Sequence, residues 1–355
     1  MKNKVLYLSL AVLALFTSCA DSFLDREPQG EVLTESQYQQ LSNTLEGSMR
    51  GLYAQMYTFS DHDEFGQRSI DLYTDMACGD IALTAQNYGW FLYDERILSY
   101  TARTGYTWLY YYNIVHNANK ILKAFDVQTD LKQNVATYGF PNKGLYVISG
   151  SDTLHTYTET DANMASVLAQ TLSMRAYAYS HLIQLYAPVP STVRSLQLYD
   201  SEENGAIIPL YTEDNMDLPQ APTNMKAIYS RIESDLKTAI DYFDGFSEQI
   251  SRTSKLSIDI NVSRGLLAYA LLNEASNIYR PDRQAPVYKE AIKYATDVIN
   301  TGIYRVLPNN ELTTNGFNNV GTNCWMWGQD VTTETATGLG SFFGQVDIHS
   351  YSYAY

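Results

Sequence analysis

Hydrophobic residues recur every three or four positions along most of this chain, which is the period of an amphipathic α-helix. The clearest stripe near the N-terminus contains Leu41, Leu45, Met49 and Leu52. The same period predicts six helices, over residues 36–57, 107–125, 161–186, 224–243, 262–279 and 285–299. The chain is therefore expected to be dominated by α-helices.

The last two predicted helices are separated by a short polar break at residues 280–283. The first of the two carries small residues such as Ala270 and Ala275, which let antiparallel helices approach closely. This arrangement resembles a tetratricopeptide unit, and the helix at 224–243 is similar to the second helix of another unit. The predicted fold class is all-α dominated, with degenerate tetratricopeptide-like helix pairs and with long loop and small β-hairpin insertions.

Three insertions interrupt the helical period. Residues 128–160 are predicted to be mostly non-helical, with a small hairpin whose turn is Gly150-Ser151-Asp152. Residues 189–223 hold four prolines, and residues 306–355 are rich in glycine, threonine, asparagine and aromatic residues. Loops of this length in a globular chain commonly carry function.

The N-terminus has the pattern of a bacterial export signal. Lys2 and Lys4 precede an apolar run, residues 5–16, that is shorter than the roughly 20 residues a membrane-spanning helix needs. Small residues then lead to Cys19, a pattern that resembles the lipobox of bacterial lipoproteins, in which a signal peptidase cuts before the cysteine and the cysteine is acylated. We expect a signal peptide at 1–18, a lipidated N-terminus and flexible tether at 19–34, and a helical domain at 35–355.

Composition narrows the classes of partner. The 355 residues include 45% hydrophobic and 18% charged residues, which is typical of a globular protein. The formal net charge of −15 argues against nucleic acid as a partner, because an acidic surface repels phosphate. Two cysteines beyond the N-terminus, Cys78 and Cys324, could form a disulfide or stay unpaired as small hydrophobic residues.

Recognisable catalytic and metal-binding motifs do not occur in the sequence. None of the five histidines has metal-ligand spacing, and His116 and His181 lie in predicted helices, where a structural role is expected. Asp71, Asp75 and Asp80 could supply a carboxylate pair for glycoside hydrolysis, but the sequence does not fix their separation. We therefore predict no catalytic residue, no metal site and no cofactor.

Aromatic clusters are the best candidates for ligand binding, because rigid rings with a few polar groups suit a small polar ligand such as a sugar or peptide. Trp108–Tyr112 lies on a periodic helix and is predicted to be core, whereas Trp325 and Trp327 alternate as on a strand, with one facing in and the other out. The candidate ligand-binding residues are Asp75, Asp80, Asn87, Trp90, Tyr93, Arg96, Trp325 and Trp327.

Several short motifs occur in the order found in one known family. They are Cys19 with Phe23-Leu24-Asp25, Gly51-Leu52-Tyr53, Trp108 with Asn119, Met174-Arg175-Ala176 through Pro188-Val189-Pro190, Ile207–Leu210, Tyr229 with Asp235-Leu236, and Tyr288–Tyr304. Together they resemble the SusD/RagB family over essentially the whole chain. Members are usually longer, so the chain is expected to stop before the C-terminal portion of the family ends.

The resemblance implies a nutrient-binding lipoprotein of the outer membrane, surface-exposed and held by a lipid anchor at Cys19. It further implies a partner, a SusC-like TonB-dependent transporter, to which captured glycans are delivered. A peptide-capturing RagB-like protein is the alternative ligand class. A repeat-type scaffold that binds only proteins and a surface hydrolase remain as alternatives of other classes.

Overall fold

The computed structural model describes residues 35–57, 64–80, 83–85, 102–187, 207–250, 254–277, 284–315, 319–329 and 353–354. The predicted signal peptide, Cys19 and tether lie outside these residues. By contacts the chain divides into two units, residues 1–41 and 42–355. The first unit is described only at residues 35–41, which are helical, and the packing described below belongs to the second.

The described elements are mostly helices. The helices are α1 Glu35–Gln55, α2 Gln67–Cys78, α3 Ala102–Gln128, α4 Leu131–Tyr138, α5 Glu159–Tyr186, α6 Met225–Gly245, α7 Ile260–Asn277, α8 Gln284–Ile299 and α9 Asn309–Asn315. The strands are β1 Leu83–Ala85, β2 Tyr146–Ser149, β3 Asp152–Thr156, β4 Ile208–Pro209, β5 Pro222–Thr223 and β6 Tyr353–Ala354. They form three antiparallel two-stranded sheets, β1–β6, β2–β3 and β4–β5.

The helices pack as a series of neighbours. α5 contacts both α3 and α6, α6 contacts α7, and α7 contacts α8. This order places α5 between α3 and α6, and 19 of its 28 residues are buried, from Thr160 to Ile183. The tetratricopeptide-like architecture predicted from the sequence is therefore confirmed, with α7 and α8 as its clearest helix pair.

Side chains at the helix starts fix where the main helices begin. Thr158 and Asp161 form a capping box at α5, in which each side chain accepts a hydrogen bond from the other residue's backbone N–H. Asn224 accepts from Ala227 N at 2.8 Å at the start of α6, and Asp259 accepts from Val262 N at 2.8 Å near the start of α7. These caps satisfy N–H groups that have no partner within a helix.

A buried guanidinium ties three helices together. Arg175 on α5 is 0% exposed and donates to both carboxylate oxygens of Asp235 on α6, at 2.7 Å each. It also donates to Asn119 Oδ1 on α3 at 2.7 Å and pairs with Glu213. Burial opposes ionisation of Glu213, but the Arg175 charge holds the pKa of that carboxyl below its usual value. The arrangement fixes α3, α5 and α6 relative to one another.

The half-buried ring of His181 predicts a pH dependence of stability. Its ring stacks on Tyr111, with ring centroids 5.0 Å apart, and burial lowers its pKa from 6.5 to about 4. Between pH 6.5 and pH 4 the imidazole is protonated in the unfolded chain but stays neutral in the folded protein. The stabilisation of the folded state is therefore fully present above pH 6.5 and is lost as the pH falls toward 4. We expect the free energy of unfolding to fall by about 3 kcal/mol over this window.

The test is denaturant unfolding at several pH values for wild type and for His181→Phe, whose ring preserves the stacking on Tyr111. Between pH 7 and pH 4, the free energy of unfolding of the variant should fall by about 3 kcal/mol less than that of wild type. Parallel pH profiles for the two proteins would show that His181 does not carry this dependence.

The fold class predicted from the sequence is confirmed, and the structure adds short helices that the hydrophobic period does not predict. The predicted hairpin at residues 150–152 is present as β2–β3. The hydrophobic period does not predict α2, because its 12 residues carry too short an apolar stripe. The segment 128–160 is mostly non-helical, as predicted, although it contains the short helix α4, in which only Leu131 is buried. Cys78 is exposed and Cys324 is half-buried, and the two are not joined in a disulfide.

Candidate functional site

The candidate residues chosen from the sequence do not form one described site. Asn87, Trp90, Tyr93 and Arg96 lie outside the described residues. Asp75, on α2, and Asp80, just after it, are exposed. Neither carboxylate lines the two clefts described below, so the structure does not place them with the aromatic residues of those clefts.

The two C-terminal tryptophans lie in a turn-rich segment instead of a strand, so the predicted alternation of an inward and an outward ring is wrong. Both rings are half-buried. Trp327 packs edge-on against Tyr53 and Tyr177, at centroid distances of 6.1 and 5.5 Å, and its Nε1 donates to Leu256 O at 3.3 Å. These contacts give Trp327 a packing role that joins the segment to α1 and α5.

A cleft of about 840 Å³ opens between α1, the first half of α5 and the segment that leads into α7. Its lining is largely polar and includes Arg50, Asn163, Gln170, Asp259 and Arg264. Several of these groups are already used within the protein: Gln170 accepts from Tyr53 Oη at 2.8 Å, and Arg50 pairs with Glu46. The cleft also contains the rings of Tyr53, Tyr57 and Phe243, but its polar side chains outnumber these rings.

A second cleft of about 480 Å³, here called the aromatic cleft, lies where α3 meets the segment after β4. It is lined by Trp108, Tyr112, Asn113, Val115, His116, Asn119, Pro209, Tyr211 and Met216. Three rings and several uncharged polar groups are thus brought to one concave surface. Such a combination is typical of sites for small polar ligands that have apolar faces.

Contacts beneath the surface hold the three rings in place. Trp108 lies 4.7 Å from Tyr112 and 4.9 Å from Tyr186 by ring centroids, and Tyr112 packs edge-on to Tyr211 at 5.9 Å. The Tyr112 hydroxyl donates to Pro209 O at 2.7 Å. Burial, then the neighbouring Tyr179 and Tyr211, raise the pKa of Tyr112, so this donor stays protonated at neutral pH.

Tyr211 is fixed through its backbone. The Tyr179 hydroxyl donates to Tyr211 O at 2.8 Å, and Tyr211 N donates to the same hydroxyl oxygen at 2.7 Å. This reciprocal pair joins the segment after β4 to α5. The aromatic cleft is therefore built on rigid elements, which lowers the entropy lost when a ligand binds.

The polar members of the aromatic cleft are amides and one histidine. Asn113 and His116 are exposed on α3, and Asn119 is fully buried, one turn below His116. The expectation that His116 is a satisfied structural residue is not met, because its ring is exposed and lines the cleft. The prediction of core packing for Trp108–Tyr112 holds for Tyr110 and Tyr111, which are buried, but not for Trp108, Tyr112 or the exposed Leu109.

The sequence did not reveal this site because its residues on α3 have the same spacing as residues that are buried in the core. Trp108, Tyr112, Val115 and Asn119 are spaced i, i+4, i+7 and i+11 on α3, and such a stripe usually packs against another helix. The available signal was the presence of Asn119 and the neighbouring Asn113 and His116 on that face. Tyr211 comes from a separate segment, so only the tertiary structure brings it to the cleft.

Comparisons with known proteins agree with this architecture. A SusD-like family model, described as "Starch-binding associating with outer membrane", matches residues 22–264. A SusD-like protein of Bacteroides ovatus is 24% identical over 308 residues, which cover 85% of this chain and 45% of that protein. The chain therefore spans about half the length of this relative.

Solved structures show the same fold. The crystal structure of a SusD-like carbohydrate binding protein from Bacteroides vulgatus ATCC 8482 matches with a TM-score of 0.58 and 19% identity, over 83% of this chain and 52% of that one. A SusD superfamily protein from the same organism matches with a TM-score of 0.54 and 16% identity, over 88% and 60% of the two chains.

The family match includes the helices that build the aromatic cleft, since residues 22–264 contain α3, α5 and the segment after β4. Among the described helices, none is both long and apolar enough to cross a membrane. Because the family model matches more than half of the chain, and because the fold agrees with solved members, this chain belongs to the SusD-like family of starch-binding proteins that associate with the outer membrane.

Proposed function

We propose that this protein captures glycans at the cell surface and delivers them to a SusC-like TonB-dependent transporter of the outer membrane. The observation that carries the proposal is the aromatic cleft, in which Trp108, Tyr112 and Tyr211 surround about 480 Å³ together with uncharged polar side chains. Aromatic faces pack on the C–H faces of a sugar ring, while amides bond its hydroxyls. Family membership supports the same ligand class.

Attachment and delivery follow from the N-terminus and from the family. Cys19 would carry the lipid anchor, and residues 19–34 would act as a tether, which keeps the domain at high effective concentration near a membrane partner. We propose that the protein acts as a lid on the transporter, since family members are expected to enclose their ligand against such a partner. Neither step requires the chain to alter its ligand, so we propose binding without catalysis.

Titration calorimetry on the detergent-solubilised full chain tests the proposal. The ligands are plant, host and microbial oligosaccharides and, in parallel, short peptides. We expect reversible binding of at least one oligosaccharide class, with the sugar recovered at unchanged mass. Binding of peptides with no oligosaccharide binding would instead support the peptide-capturing alternative, and shortened sugars in the recovered ligand would contradict binding without catalysis.

A further inference from the structure

Asn119 is a buried residue whose amide oxygen has a hydrogen-bond partner and whose amide nitrogen has none among the described residues. It lies on α3 and is 0% exposed. Its Oδ1 accepts a hydrogen bond from Arg175 Nη1 at 2.7 Å. Its Nδ2 is closed to solvent and has no hydrogen-bond partner in the part of the chain that the structure describes. Buried donors are nearly always paired in folded proteins, so this one calls for an explanation.

The Arg175 network fixes the orientation of the amide. A guanidinium has only donors, so the atom that faces it must be the acceptor Oδ1, and a flip would oppose two donors. Arg175 itself cannot turn aside, because both oxygens of Asp235 hold it at 2.7 Å. The Nδ2 donor is consequently held in one position before any ligand arrives.

The free end of this amide belongs to the aromatic cleft. Asn119 is among the residues that line the cleft and Arg175 is not, and Oδ1 is already bonded to Arg175, so Nδ2 is the end of the amide that remains available to a ligand there. A ligand oxygen reaches Nδ2 only when the floor of the cleft opens slightly, since Nδ2 is closed to solvent. Met216 is the lining side chain that changes rotamer most readily, because it is unbranched and flexible.

The lining also determines which sugars fit. Its described residues include no carboxylate, lysine or arginine, and its polar members besides the aromatic residues are two amides and His116. A sugar that carries a carboxylate would lose hydration there without gaining a permanent cation as a partner. A neutral sugar loses no charged hydration and offers hydroxyl and ring oxygens as acceptors.

We infer that Asn119 is the specificity-determining residue of the aromatic cleft, and that its Nδ2 donates to an oxygen of a neutral sugar residue packed on Trp108 and Tyr112. This inference rests on the proposed function. It adds the class of ligand, a neutral sugar, and the side-chain group that recognises it. The guanidinium of Arg175 acts as a positioning residue, because it touches the amide and not the sugar.

Asn119→Asp removes the donor. The substitution preserves the oxygen that accepts from Arg175, replaces Nδ2 with an acceptor oxygen and adds a carboxylate charge, which the control variant adds as well. Titration of the full chain with neutral malto-, cello-, xylo- and manno-oligosaccharides should show that the best wild-type ligand binds the variant roughly 10- to 100-fold more weakly. Asn117→Asp changes a half-buried amide on the same helix that does not line the cleft; it is the matched control and should change affinity by less than about threefold.

A second measurement uses wild-type protein and does not depend on the folding of a variant. Monodeoxy analogues of the best neutral ligand remove one hydroxyl at a time, and one of them should lose affinity by a factor similar to that of Asn119→Asp. Oligogalacturonides of equal length should bind more weakly than the neutral ligand.

The outcomes separate this assignment from the proposed function. Neutral binding that is unchanged in Asn119→Asp, or tighter binding of oligogalacturonides by wild type, would overturn the assignment while leaving glycan capture intact. Equal affinity for the parent and every monodeoxy analogue would also overturn it. Absence of binding by all oligosaccharides would overturn both the assignment and glycan capture.

Discussion

Replacing Arg175 with methionine should lower the free energy of unfolding by about 3–5 kcal/mol. The reason is the charge that the substitution leaves behind, since Asp235 is only 2% exposed and would lose both hydrogen bonds that hold it. Glu213 would lose its partner as well, and Asn119 Oδ1 would lose its donor. Because methionine fills much of the volume of arginine, the decrease in the free energy of unfolding is expected to come mainly from the unpaired buried charge and less from a cavity. Denaturant unfolding, monitored by circular dichroism, measures it.

Arg231→Met is the matched control, because Arg231 faces the same Asp235 carboxylate at 3.6 Å from a partly exposed position on α6. Exposed ion pairs contribute about 0–1 kcal/mol, so this variant should unfold almost as wild type does. Equal losses for the two variants would show that the buried network does not hold α3, α5 and α6 together. A loss below about 1 kcal/mol for Arg175→Met would show the same.

Replacing Trp108 with alanine should weaken binding of the best oligosaccharide by roughly 30-fold, or about 2 kcal/mol. The indole is the largest ring of the aromatic cleft, and its packing on Tyr112 and Tyr186 holds it in place before a ligand binds. Removing it takes away contact area with the sugar and loosens the neighbouring Tyr112 ring. Calorimetric titration of wild type and variant measures the change.

Two controls accompany Trp108→Ala. Tyr269→Ala removes an aromatic ring that is 70% exposed on α7 and lines neither cleft, so affinity should not change. Trp327→Ala removes a ring that packs on Tyr53 and Tyr177, so it should lower stability and leave ligand affinity nearly unchanged. Affinity that survives Trp108→Ala but falls in Trp327→Ala would place the ligand in the larger cleft instead.

The fold could be predicted from the sequence because the buried side chains of a helix lie on one face and therefore repeat with the period of the helix. α5 is the clearest case: its apolar positions predicted a helix at 161–186, and the observed helix is Glu159–Tyr186. α7 and α8 were accessible through their small residues and the short polar break between them. α2 and α4 were not, because a helix of 8 or 12 residues presents too few apolar positions for the period to be recognised.

The candidate site was only partly accessible, for physical reasons that individual residues show. The spacing of Trp108 and Tyr112 is the same whether this face of α3 packs against another helix or lines a cleft, so the spacing alone cannot distinguish the two. Tyr211 joins them through a bond to Tyr179 that no local pattern encodes. Trp327 stood out as an aromatic residue in a loop, but the sequence does not show that Tyr53 and Tyr177 pack against its ring.

A crystal structure of the full chain with its best-binding oligosaccharide tests the central claim most directly. The account predicts a sugar ring packed on Trp108 and Tyr112 in the aromatic cleft, with Met216 displaced and an oxygen within hydrogen-bond distance of Asn119 Nδ2. A sugar bound elsewhere, with the aromatic cleft empty at saturating ligand, would contradict it.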